Sequence, residues 1–195
     1  MSRMGKKPVK IPEKVKAEYK NHILIVNGPM GTFNQSINPK LDIKIEDGHV
    51  HVLAIKQDKE TDMVHGLYRS LVKNVLEGVL KGFKKDLEIS GLGYKVAVEG
   101  KNLILNLGFA EPVKFEIPEG IKATAEKLTF LSLSGVDKIL VGDTAARIRS
   151  LRPTEPYKGT GIRYAGEHII RKVGKAAAAG AGGAVGAAPS GGAKK

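Results

Sequence analysis

Cysteine and tryptophan are absent from this 195-residue chain. Without a thiol there is neither a disulfide framework nor a thiolate metal site. Aromatic residues make up only 5%, so a core has to be built from aliphatic side chains. No apolar run approaches the roughly 20 residues of a membrane-spanning helix, and the N-terminus lacks the apolar stretch of a secretory signal. Met1 to Lys7 is basic, but Pro8 and Pro12 follow quickly and argue against an amphipathic transit helix. These absences predict an intracellular, reducing location, with no membrane partner. No Walker sequence is present, and no Ser–His–Asp set or carboxylate pair can be singled out. His49 and His51 lie two apart on a predicted strand and so point to one side. Two imidazoles can begin a zinc site, but spacing supplies no third ligand. A small hydrolase using that pair is one competing reading, and metal analysis of the purified protein tests it. The chain is otherwise expected to be no enzyme and to need no metal, cofactor or small-molecule substrate.

Acidic charge is scarce at the two ends. The formal net charge is +12, and it is unevenly spread. Residues 1–20 hold seven basic and two acidic groups, including Arg3, Lys6 and Lys7. Residues 21–146 hold fifteen and sixteen, an ordinary near-neutral globule. Basic residues that only solvate a surface would be spread evenly, so this arrangement favours a polyanionic partner. The densest stretch runs from Arg147 to Lys175, with eight Lys or Arg against two Glu. At its centre is Pro153-Thr154-Glu155-Pro156-Tyr157-Lys158-Gly159-Thr160-Gly161-Ile162-Arg163-Tyr164. Its prolines and glycines forbid a continuous helix, so a basic, kinked loop is expected. In such a loop Lys158 and Arg163 can meet phosphates, and Tyr157 or Tyr164 can stack on a base. Gly159 and Gly161 let the backbone come close to nucleic acid. A turn whose tyrosines pack on the domain fits the same residues.

The body reads as α+β. Residues 22–27 are a short strand closed by Gly28-Pro29-Met30-Gly31, with Thr32 to Ile37 returning. Leu41, Ile43 and Ile45 alternate with polar residues, Asp47-Gly48 is a hairpin turn, and His49 to Ile55 pairs back. The period then becomes helical, with Met63, Leu67, Leu71, Val75 and Val79 on one stripe and Thr61 or Asp62 as cap. Arg69 and Lys73 share a face of this helix. Both a phosphate contact and a solvated face, with Lys73 paired to Glu77, fit that spacing. The order then recurs. Leu103 to Gly108 resembles Ile23 to Gly28 at an offset of eighty positions. Asp137 can cap a second helix through Leu151 that buries Val141, Ala145 and Ile148, with Arg149 and Arg152 at its favourable C-terminal end. Arg147 can pair with Asp143. Gly91-Leu92-Gly93-Tyr94-Lys95 is better read as a bulged or bent strand than as a phosphate loop, because no helix opens after it. Two duplicated domains are expected, each a small mostly antiparallel sheet with one packed helix. They are bounded as a flexible basic arm 1–9, a first domain 10–82, a second domain 83–175 and an Ala/Gly-rich disordered tail 176–195.

Glu155 to Tyr164 closely resembles the bacterial large-subunit ribosomal protein six family. Lys10-Ile11-Pro12, Gly28 to Gly31, Gly82 to Leu87, Gly91 to Lys95, Leu107-Gly108-Phe109 and Asp137 to Arg149 match the family in order and spacing. The resemblance covers most of residues 3–175. It implies a duplicated α+β fold and a cytoplasmic place in the large ribosomal subunit, bound to large-subunit ribosomal RNA. It implies a C-terminal domain near the sarcin–ricin region, at the stalk base among neighbouring ribosomal proteins and close to where elongation factors dock. It places most contacts on positions matching Arg152 to Lys175. The candidate RNA-binding residues are therefore Arg149, Arg152, Tyr157, Lys158, Gly159, Thr160, Gly161, Arg163, Tyr164, Arg171, Lys172 and Lys175. Tyr94 and Lys95, Arg69 and Lys73, and Arg3, Lys6 and Lys7 complete the set. Thr160 stands where the family usually has Lys, so either one phosphate contact is missing or a hydroxyl replaces it. The alternative is a nucleic-acid-binding or architectural protein working away from the ribosome, which would bind duplex DNA as well as RNA.

Overall fold

The computed structural model describes residues 3–56 and 58–174; the expected tail at 176–195 lies outside them. The first half contains β1 (Val9–Lys10), β2 (Lys16–Lys20), β3 (Ile23–Gly28), β4 (Gly31–Ser36), β5 (Leu41–Glu46), β6 (His49–Ala54) and α1 (Lys59–Lys81). The second contains β7 (Phe83–Ser90), β8 (Lys95–Glu99), β9 (Asn102–Asn106), β10 (Val113–Glu116), β11 (Ile121–Lys127), β12 (Phe130–Gly135), α2 (Lys138–Leu151) and β13 (Gly161–Tyr164).

The duplication is visible in the pairing. One meander, β2-β3-β4, has its counterpart in β8-β9-β10. The sheet β1-β6-β5 has its counterpart in β7-β12-β11, where β13 adds a fourth strand beyond β7. All of these pairings are antiparallel. Each half closes its own aliphatic core. The first is built on Leu24, Val26, Leu41, Val50, Val72, Leu76 and Val79. The second is built on Leu87, Ile89, Leu103, Leu105, Leu131, Leu133, Ile148 and Ile162. The buried pair Leu24 and Val26 corresponds to Leu103 and Leu105, one residue short of the eighty-position offset. A one-residue slip turns every side chain to the other face, so burial and not residue identity fixes the true correspondence.

Several expectations change. α1 starts at Lys59 with Asp58 as its extended N-cap residue, not at Thr61 or Asp62. Thr61 is instead buried. Met63 and Leu67 are exposed, at 71% and 55%, while His65, Val72, Leu76 and Val79 face inward. The reason is geometric. Steps of four residues drift about 40° around a helix, so four such steps cannot stay on one face. His65 joins the buried side because its Nε2 bonds the Val52 carbonyl at 2.8 Å. Part of the N-terminal segment, from Gly5 to Lys10, contacts the first half. Gly5 is buried against the His65 ring, and Val9 and Lys10 pair with β6. Gly91 to Gly93 form a turn between β7 and β8 in place of a bent strand, with the Tyr94 amide donating to the Gly91 carbonyl at 3.3 Å. Asp137 caps α2 as expected, its carboxylate accepting from the Ile139 amide at 2.8 Å.

The halves meet where α1 crosses Val136. Gly78 lies against the Val136 carbonyl and the Phe83 ring, so closely that a Cβ at this position would collide with that backbone oxygen. Lys138 ties the junction by donating to Asn74 at 3.3 Å and lying over Phe83 at 5.6 Å. In an open helix Gly→Ala stabilises by about 1 kcal/mol. Here Gly78→Ala is expected to lower unfolding free energy by about 2 kcal/mol instead. Urea denaturation at equilibrium measures this, and a stability gain would show that the junction is looser than described.

Candidate nucleic-acid interface

The Arg147–Lys175 stretch begins on α2 and leaves it at Arg152, the C-cap residue, at φ −146° and ψ 84°. The chain then closes a small hook. The Glu155 amide donates to the Thr160 carbonyl at 2.8 Å, and the Gly159 amide donates to the Glu155 carbonyl at 3.0 Å. Thr160 Oγ1 donates to Glu155 Oε2 at 3.0 Å, so this hydroxyl holds the loop's own acid. Gly159 turns the hook at φ +73°. Gly161 has φ +134° and lies against Pro153, where a Cβ would come within 2.6 Å of the carbonyl oxygen. Both positions therefore need glycine for the fold, quite apart from any close approach of nucleic acid.

The stretch expected as loop continues as strand β13, which pairs with β7 from Gly161↔Ser90 to Tyr164↔Leu87. Four residues are too few for alternation to be legible, and the partner strand lies far away in sequence. Beyond β13 the chain doubles back as a strap. The Ala165 amide donates to the Asp86 carbonyl and the Lys172 amide to the Pro156 carbonyl, both at 2.9 Å. The Arg171 guanidinium comes to 3.5 Å from where a Cβ on Gly159 would stand. Hook and strap thus gather Tyr157, Lys158, Arg171 and Lys172. Tyr157 is 54% exposed. The side chains of Lys158 and Lys172 have no partner among the described residues.

The other candidates divide. Arg163 pairs with Glu88 at 2.7 Å and Arg149 with Glu167 at 2.6 Å, each about one-third exposed. Tyr164 is half-buried, with Arg149 and Lys85 over its ring at 5.5 and 5.8 Å. These three groups face their own fold, and of the two tyrosines only Tyr157 offers an open ring. Arg152 is exposed and lies over Phe109 at 5.2 Å. That contact was missed in the sequence, although Leu107-Gly108-Phe109 stood out as a motif. Tyr94 is half-buried on the second core, between Gly91 and Gly108, and Lys95 is exposed beside it. Lys73 pairs with Glu77 at 3.4 Å, and Arg147 with Asp143 at 2.8 Å. Exposed pairs of this kind contribute about 0–1 kcal/mol and yield readily to a stronger anion. Arg69 donates to the Lys7 carbonyl at 3.4 Å, and Arg3, Lys6 and Lys7 are exposed. Lys175 lies outside the described residues. Among the described residues no three His, Asp or Glu side chains gather to hold a metal, and the His49 ring bonds the Asp47 carbonyl at 2.9 Å. No helix among them is long and apolar enough to cross a membrane.

A duplicated α+β chain that carries exposed, unpaired cations on a hook of its second copy is of the class suited to a polyanionic partner. The sequence model of the family described as Ribosomal protein L6 matches residues 11–82 and 90–165. The large ribosomal subunit protein uL6 of Desulforapulum autotrophicum is 51% identical over 179 residues, covering 91% of this chain and 99% of the relative. The proteins of the same name from Maridesulfovibrio salexigens and Anaeromyxobacter dehalogenans are each 49% identical, over 90% and 92% of this chain and 98% and 100% of theirs. The chain belongs to the ribosomal protein L6 family.

Glu167 organises the inner part of this site. Its carboxylate accepts from the Tyr164 amide at 3.0 Å and from Arg149. The Tyr164 amide first, and Arg149 after it, hold the Glu167 carboxyl below the usual carboxylate range. A carboxyl depressed in the folded state stabilises the fold above its unfolded value and loses that contribution as pH falls through the folded one. Acid unfolding of Glu167→Gln is therefore expected to be less steep than that of the parent below the ordinary carboxylate range. Equal pH slopes for the two proteins would contradict the assignment.

Proposed function

We propose that this chain is a structural, non-enzymatic constituent of the large ribosomal subunit in the cytoplasm, and that it binds large-subunit ribosomal RNA through the hook and strap. The observation that carries this reading is the contrast within one basic stretch. Arginines facing the fold are matched by Glu88 and Glu167, whereas Lys158 and Lys172 at the hook are left unmatched and exposed. Arg152 and Arg171 extend that cationic surface, and Tyr157 supplies a flat face for a base or ribose. Backbone phosphates give the affinity, and the fixed shape of hook and strap selects the RNA fold. Gly159, Thr160 and Gly161 contribute by shaping the hook, and Arg149, Arg163 and Tyr164 by supporting it.

The resemblance extends this proposal. The second domain, residues 83–175, would lie near the sarcin–ricin region at the stalk base, beside other ribosomal proteins and within reach of elongation factors. The first domain, residues 10–82, together with the N-terminal segment 1–9, would offer Arg3, Lys6, Lys7, Arg69 and Lys73 as a separate phosphate contact. Tyr94 and Lys95 would add to the contact from the second domain, and Lys175 lies outside the described residues.

Arg163→Glu would set two carboxylates against each other at Glu88, so it damages the sheet as well as the site. The clean probe is Lys158→Glu with Lys172→Glu. This double variant is expected to bind isolated large-subunit ribosomal RNA at least tenfold more weakly, with unchanged circular dichroism. Each phosphate contact contributes roughly 0.7–0.9 to the log–log salt slope, so the slope should flatten by roughly 1.5. Lys114→Glu with Lys127→Glu makes the same change in net charge on exposed strand positions elsewhere and should bind almost as the parent does. If both double variants lost affinity equally, net charge and not the hook would be the determinant.

A further inference from the structure

We infer that Glu167, an acidic residue inside the basic surface, is a positioning residue for RNA binding whose removal weakens the complex. The inference rests on the proposed RNA-binding role of the hook and assigns one of its working parts. Simple charge counting gives the opposite sign, because deleting a carboxylate raises the local positive potential.

The geometry supports a clamp. Arg149 comes from the last turn of α2, and Tyr164 is the last residue of β13. Glu167 joins them, taking Arg149 Nη2 at 2.6 Å on one oxygen and the Tyr164 amide at 3.0 Å on the other. Its own amide donates to the Tyr164 carbonyl at 3.0 Å, so backbone and side chain both close the turn. The Arg149 guanidinium also lies over the Tyr164 ring at 5.5 Å. Helix end, strand end and turn are thereby fixed to one another at a single side chain.

The strap that starts at this turn has few other holds. Ile169 is half-buried, and its Cδ1 lies 3.7 Å from the position of a Gly159 Cβ. The Lys172 amide bonds the Pro156 carbonyl at 2.9 Å. Ile170 and Val173 are 82% and 70% exposed. Beyond the Ala165–Asp86 bond that ends the strand, the Glu167 clamp, the Ile169 contact and the Lys172–Pro156 bond decide where Arg171 and Lys172 stand relative to Lys158. Like charges repel, and a strap released at its root would swing its two cations away from a third. Binding would then have to supply the ordering entropy that the clamp supplies in advance.

The test compares the full chain with Glu167→Ala and Glu167→Gln for binding to isolated large-subunit ribosomal RNA over a range of salt. Glu167→Gln keeps an acceptor for the Tyr164 amide but sets an NH2 donor against Arg149, so it opens only the Arg149 arm of the clamp and reports even if Glu167→Ala fails to fold. The expected result is a five- to twentyfold loss of affinity with a shallower salt slope. Hydrogen exchange at the Lys172 amide should be faster in the free variant, while exchange at Ile162 should not change. Glu167→Asp should restore part of the affinity. Folded variants that bind as tightly as the parent, or more tightly, would overturn the inference and leave the RNA-binding proposal standing. A parent chain that does not bind this RNA would remove both.

Discussion

The basic surface depends on the burial of Ile162. This residue is fully buried in the second core, opposite Ile89 across the β13–β7 ladder. Ile148, near the end of α2, is buried in the same core. Between these two anchors the chain has to leave a helix, turn back and enter a strand. Pro153, Pro156, Gly159 and Gly161 make that possible within so short a span, and Arg152, Tyr157 and Lys158 are among the residues left outside. Burying a side chain of this size contributes about 1.5–3 kcal/mol. That exceeds the ~0–1 kcal/mol of any exposed ion pair in the region. Hydrophobic burial therefore fixes the hook, and electrostatics acts on a shape already set.

Charge is arranged in two layers. Arg149 and Arg163 are about one-third exposed, and each meets a carboxylate at 2.6 or 2.7 Å. Removing such groups partly from water is tolerable because they are paired and hydrogen-bonded. Lys158, Arg171 and Lys172 are exposed, and no ion pair engages them among the described residues. A cation already engaged must be released before it can take a phosphate, while a free one releases only counterions. The inner layer thus favours a rigid fold and the outer layer favours association. The acids Glu88, Glu155 and Glu167 serve the first purpose without quenching the second.

Much of this was legible in the sequence, for reasons that differ by element. The hairpins around Gly28–Gly31 and Asp47–Gly48 were readable because turn chemistry is local. α2 was readable because Asp137 and the Val141–Ala145–Ile148 line agree. The basic stretch was readable because charge needs no fold to be counted. α1 was half-read: its aliphatic residues outnumber the positions its core face can hold, so periodicity alone could not choose between Met63 and His65. That choice was made by the Val52 carbonyl, a long-range partner. β13, the seating of Gly5 on His65 and the Arg152–Phe109 contact share this character. Each is set by a neighbour distant in the chain, and no local pattern encodes it. The same holds for the division of the arginines, since Glu88 is 75 positions from Arg163.

Duplication explains why only one half carries the hook. The two halves share a meander, a three-stranded sheet and a following helix. After α1 a single residue, Gly82, separates the helix from β7, so the chain is already committed to building the second copy. It has no slack to return and pair beyond β1. After α2 no such commitment exists, and the chain turns back to add β13 to the open edge of β7. An edge strand offers unpaired backbone donors and acceptors, and the second copy meets them with its own sequence. The covalent link thus breaks the symmetry of two similar folds. It leaves the first copy as a platform with a seated basic N-terminus and lets the second extend into a hook and strap. An equivalent hook after α1 would require a longer connection at Gly82 than the single residue present.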